Sequence, residues 1–596
     1  LATAVGVAAF TLGLTPAALG TSGASGSSCA SATLTTALPP ILDRVPAGSG
    51  AVVVIPSVER LERSVRQWAD SVNLPAENID ITRLLDFAGL ATGFDPRGSI
   101  AVVIAPHLAQ AAERDADAGF TPAVVALVSV TDYDRFIIAA DGRPDDEVAA
   151  IRVGPEGERR PAYARRLSPT LAAVGPERGV VKAFAGEPGH MVRHAEVLGP
   201  RGTAYAQGCD LFVYVDVGPL AEPFKQGFVQ GLRFITDLNE VGGGRPAPDL
   251  SSVTWLVETV LDQTRAVVAG VRFVPQGINA DLLLAFREGT PLARAAGVAG
   301  RSSPLLGRVP DRPYLLAAAL DLASLDWKPV FAGMPEPKAH DAVSQISMAE
   351  QKLLSEHCTG RAVLMLPHEA GIGFMNKTVT YSASNDPRRY VRAWREWLDH
   401  ATDEGLIQSD IMPDELKVGT RSVDAWSMSV KAREPEEAQL MLVLYGAMGG
   451  PSGYLAGVEG GVVQTTMRDQ GVLAAALASA STGNGLNLNP KLAEVADSLP
   501  TGRFAEVYVS PNGLVDTLRG LAAMVGALPR VPMAKDLPPF GAALSTGDGS
   551  LLASVFLPSV SVGELIRFGQ GVRDRMIEGG RRQGRPGEPE PARPQF

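Results

Sequence analysis

His190 and His194 stand four residues apart beside Glu187 and Glu196, and they are the chain's nearest approach to a metal-ligand set. On a helix that spacing puts both imidazoles on one face, as a zinc pair requires. Met191 follows His190, however, so the His-Glu-x-x-His arrangement of zinc hydrolases is absent, and a solvated helix face is the preferred reading of the pair. His357-Cys358 and His368-Glu369 are isolated pairs. Gly371–Thr378 reads Gly-Ile-Gly-Phe-Met-Asn-Lys-Thr, a phosphate-binding loop except for Asn376 at the second glycine position. A side chain there obstructs the wrap of backbone amides around phosphate, and strand-like Val379-Thr380-Tyr381 follows where such a loop needs a helix. There is no Gly-x-Ser-x-Gly elbow and no Cys-x-x-Cys. Asp132 and Asp134 are paired carboxylates, but at a helix start they read as a cap and a dipole partner. Asp216 and Asp321, at strand-to-helix junctions, invite the same explanation.

The most distinctive helix is Asp386–His400, where Tyr390, Trp394 and Trp397 form one stripe flanked by Arg388, Arg389, Arg392 and Arg395. Aromatic rings beside arginines stack on sugars, anionic lipids or a protein partner. A buried stripe with snorkelling arginines is the competing reading. An exposed stripe would make Tyr390, Trp394, Trp397, Arg392 and Arg395 a binding face.

The elements that position these residues recur. A short apolar strand followed by an amphipathic helix appears at Ala51–Pro56 with Ser57–Trp68, and at Leu211–Val217 with Pro219–Phe228. It appears again at Tyr314–Leu320 with Asp321–Val330, and at Phe504–Ser510 with Pro511–Met524. Val58, Leu61, Val65 and Trp68 make one apolar stripe behind a Ser57 cap. Ile81–Leu90 reads as a second short helix, and Ile100–Ala105 and Ala123–Val130 as strands. Alternation predicts hairpins at Val267–Phe286 and Phe540–Leu557, each around a Gly-containing turn. The charged, Gly/Pro-rich Asp141–Arg160 reads as an exposed loop. The expected fold is α+β, with two similar halves at residues 45–300 and 305–575. Each half would be an antiparallel sheet with helices packed on one face.

At 596 residues the chain exceeds what one core supports. Its 45% hydrophobic content suits buried cores, and a net charge of −11 argues against a nucleic-acid-binding surface. No charge precedes Asp43, and Leu1–Leu19 is an apolar run of small residues. Residues 1–44 therefore read as an export signal or anchor plus a flexible linker, with a cleavage tract at Ala18-Leu19-Gly20-Thr21. Cys29 has the small neighbours of a lipidation site but lacks the leucine three positions before it. Cys209 and Cys358 either pair or remain buried thiols. Residues 579–596, rich in Arg, Gly, Pro and Glu, read as a disordered tail.

Three features prompt a comparison: the Pro-led strand entering a helix, Gly93-Phe94-Asp95-Pro96 before a strand, and the helix entry Val130–Phe136. Together they resemble a family of large exported bacterial proteins carrying a domain of unknown function. The resemblance implies an exported, non-enzymatic protein and brings no site residues. The expectation is an envelope binding or structural protein without a cofactor, its partner an unknown envelope component or an apolar ligand. Membrane contact would come only through an uncleaved N-terminal segment. The alternatives are a carrier of an apolar, lipid-like ligand, through curved hairpins, and a hydrolase using dispersed carboxylates.

Overall fold

The computed structural model describes residues 38–46, 48–75, 92–104, 123–154, 159–222, 225, 251–300, 304–321, 323, 328–331, 333, 356–367, 377–403, 407–430, 450–525 and 531–583. The first part of the chain runs β1 (Ala51–Ile55), α1 (Val58–Ser71), β2 (Ile100–Ile104), β3 (Val124–Ser129), α2 (Tyr133–Ala139) and β4 (Ala149–Val153). It continues through β5 (Arg160–Ser168), β6 (Leu171–Gly175), α3 (Arg178–Ala183), α4 (Met191–Gly208), β7 (Leu211–Asp216), α5 (Ser251–Gln263), β8 (Thr264–Val274), β9 (Gly277–Phe286) and α6 (Pro291–Ala295). The second part begins β10 (Leu316–Asp321), α7 (Lys328–Phe331), β11 (Gly360–Met365), β12 (Thr378–Ala383), α8 (Pro387–Asp403), β13 (Ile407–Val418) and β14 (Arg421–Val430). It ends β15 (Ser452–Val458), β16 (Gly461–Thr465), α9 (Gln470–Thr482), α10 (Pro490–Ala496), β17 (Arg503–Val509), α11 (Pro511–Val525), β18 (Phe540–Gly547), β19 (Ser550–Pro558) and α12 (Ser559–Gln583).

Among the described residues, nineteen strands form one sheet. Its centre is the antiparallel pairing of β9 with β19, from Gly277↔Pro558 to Ala285↔Ser550. Outward from that seam one side runs β9-β8-β7-β1-β2-β3-β6-β5-β4. The other runs β19-β18-β17-β10-β11-β12-β16-β15-β14-β13. The chain thus builds one continuous antiparallel sheet rather than one sheet for each half. Both expected hairpins, β8–β9 and β18–β19, are present, and their outer strands make the seam.

Helices cover both faces, not one. Strand residues alternate between faces, and both sets are apolar here. On the α4 face, Val197, Leu198 and Ala206 of α4 pack on Val52, Val103, Phe212 and Leu283. On that same face Leu473 and Leu477 of α9 and Val495 of α10 pack on Val379, Ala456 and Val463. On the opposite face α2 lays Phe136 and Ile137 on Val128 and Ile151, while α8 lays Trp394 and Leu398 on Trp426 and Leu455. Apolar side chains on both strand faces demand two helical layers, because either row left in water forfeits its transfer free energy.

Local capping chemistry accounts for several helix starts. Ser57 Oγ accepts from Arg60 N at 3.3 Å, and Asp132 Oδ1 accepts from Arg135 N at 3.1 Å. Asp386 Oδ1 accepts from Arg389 N at 3.0 Å, and Asp469 Oδ1 from Gly471 N and Val472 N at 2.7 and 3.0 Å. α4 is broken at Gly199 (φ 70°, ψ 176°), immediately before Pro200.

Three boundaries shift. The loop expected at Asp141–Arg160 contains β4, whose Ala149 and Ile151 are buried while Ala150 and Arg152 face water. That two-residue period lies beneath the local charge. The linker expected through residue 44 ends earlier: Pro40–Arg44 is a 3-10 helix with Ile41 and Leu42 in the core. α12 continues to Gln583, past the expected start of the tail at Gly579. The helix expected at Ile81–Leu90 and the segment 1–37 lie outside the described residues.

Two seven-residue stretches enter the two parts alike. Pro40-Ile-Leu-Asp-Arg-Val-Pro46 and Pro304-Leu-Leu-Gly-Arg-Val-Pro310 each contain a 3-10 helix. Arg44 Nη1 donates to Gly186 O at 3.1 Å, and Arg308 Nη1 donates to Ala480 O at 2.6 Å. Gly186 follows α3 and Ala480 lies in the last turn of α9, so each arginine ties its strand entry to the helical layer of the α4 face.

Candidate functional site

The structure separates the two histidines by role. His194 is 1% exposed. Its Nε2 lies 2.8 Å from Val45 O, which can only accept, so Nε2 carries the proton. Nδ1, 2.5 Å from the Tyr214 hydroxyl, then accepts from it. Burial lowers the His194 pKa and favours this neutral form. Both ring nitrogens are engaged, while His190 sits outside the helix as the residue before α4. No group of three or more metal-ligating side chains occurs among the described residues.

The aromatic stripe of α8 is core. Tyr390 and Trp394 are buried, Trp397 is half-buried, and the Trp394 ring meets Trp426 edge-on at 5.3 Å between centroids. Tyr390 Oη donates to Ser382 Oγ at 3.3 Å. Arg395 Nε and Nη2 both bind Asp424 Oδ2, at 2.8 and 2.5 Å, and Asp424 Oδ1 accepts from Asp414 N at 3.1 Å. Of the expected binding face only Arg392 is exposed, so these residues form no aromatic surface. The stripe is buried because β14–β16 present their own apolar row to it.

The remaining candidates are local. Asp134 pairs with Arg166, and Asp216 Oδ1 and Asp321 Oδ1 accept from Gly218 N and Ala323 N at 3.1 and 3.0 Å, closing turns. Cys209 and Cys358 are free and buried, and burial raises both thiol pKa values. His368-Glu369 and most of Gly371–Thr378 lie outside the described residues.

Two clefts have mixed polar and apolar linings. One of about 530 Å³ lies along β13 and β14 between Ser409, Ser427 and Arg468. The other, about 570 Å³, lies beside the start of α11 and contains Asp311, Arg312, Lys491, Asp516, Arg519 and Lys535. Asp516 is held by Arg519 at 3.2 Å and Asp311 by Asn489 at 3.1 Å.

Among the described residues an apolar band lies on the sheet itself, on the face opposite α4. Val53, Val213, Ala269, Leu282, Ala553 and Leu544 stand side by side on β1, β7, β8, β9, β19 and β18. Beside them run Leu211, Val271, Ala280, Val555, Ala542 and Val507. No member of either row is charged, and all but Leu282 are half-buried. Leu282 is 42% exposed, whereas Leu283, pointing to the α4 face, is 0% exposed.

Helices bound the band along both sides. Trp68 of α1 meets Phe273 at 6.0 Å, and α12 brings Gly563 against Val72 at the end of α1. On the other side α5, α6 and α7 cover Leu284, Phe286 and Leu551. At the β17–β11 end, Leu320, Val363 and Ala505 close the band with Leu514 of α11. The result is a trough crossing the strands. Sequence reasoning offered the hairpins, Val267–Phe286 among them, as the lining of an apolar site, but not the β9–β19 register that sets their rows side by side.

No protein-family model matches the chain, and no curated protein does. Two solved structures align with it, crystal forms IV and III of TP0453, at 12% and 11% identity. Both cover 42% of this chain, with 81% and 80% of their own chains aligned and TM-scores of 0.20 and 0.19. No helix among the described residues is long and apolar enough to cross a membrane.

Proposed function

We propose that this is an exported envelope protein that binds an apolar, lipid-like ligand in the trough and performs no catalysis. The observation that carries the reading is the uncharged double row around Leu282, which is 42% exposed in the middle of the sheet. Its backbone amides and carbonyls are consumed by the strand ladders, so the floor offers dispersion contacts alone. A peptide laid there would lose water from its own N–H and C=O groups without compensation, whereas hydrocarbon loses nothing. The flanking helices keep a broad protein surface off the floor.

The proposal includes a common origin for the two parts. The strand orders on either side of the seam support it, as do the matching Pro40–Pro46 and Pro304–Pro310 entries. Export rests on the apolar N-terminal run.

Extraction and mass spectrometry of the purified protein test the ligand. Co-purified lipid is expected, and Leu282→Glu is expected to lower its retention at least about tenfold, equivalent to about 1.4 kcal/mol. Wild-type protein that neither carries lipid nor takes up a fluorescent fatty acid would refute the reading.

A further inference from the structure

We infer that the cleft beside the start of α11 binds a short peptide with free ends. Lys535 and the Asn512 N–H hold its carboxylate, and Asp311 and the Tyr314 hydroxyl hold its ammonium. The site is separate from the trough and does not depend on the lipid reading. It lies where β10 begins and β17 ends, between the helical layers on the two faces of the sheet. Asp311, Arg312 and Lys491 stand on the α10 side, and Arg519 and Lys535 on the α11 side. The cleft volume of about 570 Å³ falls within the range of about 300–1,000 Å³ that small-ligand pockets occupy.

Charge selects the ligand class. The protein carries −11 overall, yet the cleft sets Arg312, Lys491, Arg519 and Lys535 against Asp311, Asp516 and Asp536. Arg519 holds Asp516 at 3.2 Å, and Lys491 also reaches Glu494 at 3.2 Å. What is left is near neutral with both signs present. Such a field favours a zwitterion over a compact dianion such as phosphate, which would meet Asp311 and Asp536.

Polar groups without partners supply the contacts. Tyr314 is 7% exposed and lines the cleft, and its hydroxyl makes no hydrogen bond among the described residues. Burial raises its pKa and nearby Asp311 adds to the rise, so the hydroxyl keeps its proton and accepts from an ammonium beside that carboxylate. On the other wall, Pro511 has no N–H, and Ser510 takes the N–H groups of Gly513 and Leu514, at 3.1 and 2.9 Å. The Asn512 N–H is therefore left in the first turn of α11, where the helix dipole favours a carboxylate. The Asn512 side chain bonds Ala534 O and Leu537 N, at 2.7 and 3.0 Å, which fixes Lys535 beside that turn. Lys535 is exposed and makes no ion pair among the described residues. Pro313, Pro367 and Pro539 give the cleft apolar walls for a side chain.

Isothermal titration calorimetry of the full chain tests this with the tripeptide Ala-Phe-Ala, its N-acetyl form, its C-amide form and the doubly blocked form. The free tripeptide is expected to bind, and blocking either end to weaken it about tenfold. Lys535→Met is expected to weaken the free and N-acetyl forms about tenfold and to leave the C-amide form unchanged. Asp311→Asn is expected to weaken the free and C-amide forms and to leave the N-acetyl form unchanged. Both side chains are exposed, and thermal melts check that each variant is folded. A free tripeptide that does not bind, or a doubly blocked form or inorganic phosphate that binds as tightly, would overturn the inference. So would substitutions that weaken every form alike. Lipid retention in the trough is read separately, so the two readings fail independently.

Discussion

Replacing His194 with Phe tests whether this residue is a structural tie or a metal ligand. The imidazole joins three segments: the strand entry at Val45, helix α4 and strand β7 through Tyr214. His194→Phe keeps the ring volume but leaves Val45 O and the Tyr214 hydroxyl unpaired in the core. Each costs about 1–3 kcal/mol, so the variant should lose about 2–6 kcal/mol. Tyr214→Phe in the same background removes one orphan and should restore part of that loss, a coupling of about 1–3 kcal/mol.

The pH dependence has a definite sign. Burial holds the folded pKa of His194 below its ordinary 6.5, with nearby His190 lowering it and Asp43 and Asp216 raising it. As the pH falls below about 6.5 the unfolded chain takes up the proton first, so stability drops until the folded pKa is reached. Above 6.5 the contribution is complete. Urea unfolding at pH 7.5 and 5.5, read by hydrogen exchange at β7, should show this acid loss in wild type and a flatter profile in His194→Phe. Zinc should leave the melting temperature unchanged, because both ring nitrogens are committed. A variant as stable as wild type with a superimposable pH profile, or strong stabilisation of wild type by zinc, would refute the reasoning.

Asp424→Ala should cost about 1–3 kcal/mol, since it strips Asp414 N and Arg395 of their buried acceptor. Arg395→Met should cost more, because it strands the buried Asp424 carboxylate without a counter-charge whereas Arg395, 37% exposed, can reach water, and hydrogen exchange along β13 would distinguish the two. Equal losses would contradict this ranking. Cys209 and Cys358 should resist a thiol-reactive disulfide reagent in the native protein and both react in urea, as their burial and raised pKa values require. Native-state labelling at the rate of a free thiol would contradict that.

Local patterns carried the hairpins, the Ser57 and Asp132 caps and the strand-helix units at Ala51–Trp68 and Phe504–Met524, because these depend on neighbouring residues, whereas at Asp321 the strand runs on through the expected helix start. β5 escaped notice: its first residue, Arg160, closes the segment read as a loop, and Arg165 and Arg166 interrupt the apolar alternation of a strand. In the sheet Arg165 is occupied instead by the carbonyls of Lys182 and Phe184, at 2.9 and 3.1 Å. The α8 stripe was legible as a stripe, but its burial is decided by Trp426 and Leu455, which no local window contains. The trough was hidden for the same reason. Each strand shows alternation, yet only register across distant strands reveals that one row remains open. His194 looked like a ligand by spacing, and its actual partners, Val45 and Tyr214, lie far from His190 in sequence.

The β9–β19 seam also governs the order in which the chain can finish folding. β9 ends at Phe286 and its outer partner begins at Ser550, so nearly half the chain must be made between them. At about 5–20 residues per second that interval lasts roughly 13–53 s, during which β9 has unsatisfied hydrogen-bonding groups along one side. Any other extended segment can add to it in that time, including β9 of a second nascent chain. Completion of the sheet is therefore the step most open to a helper protein, and C-terminal truncations that lose β19 should fail by aggregation rather than by simple loss of stability.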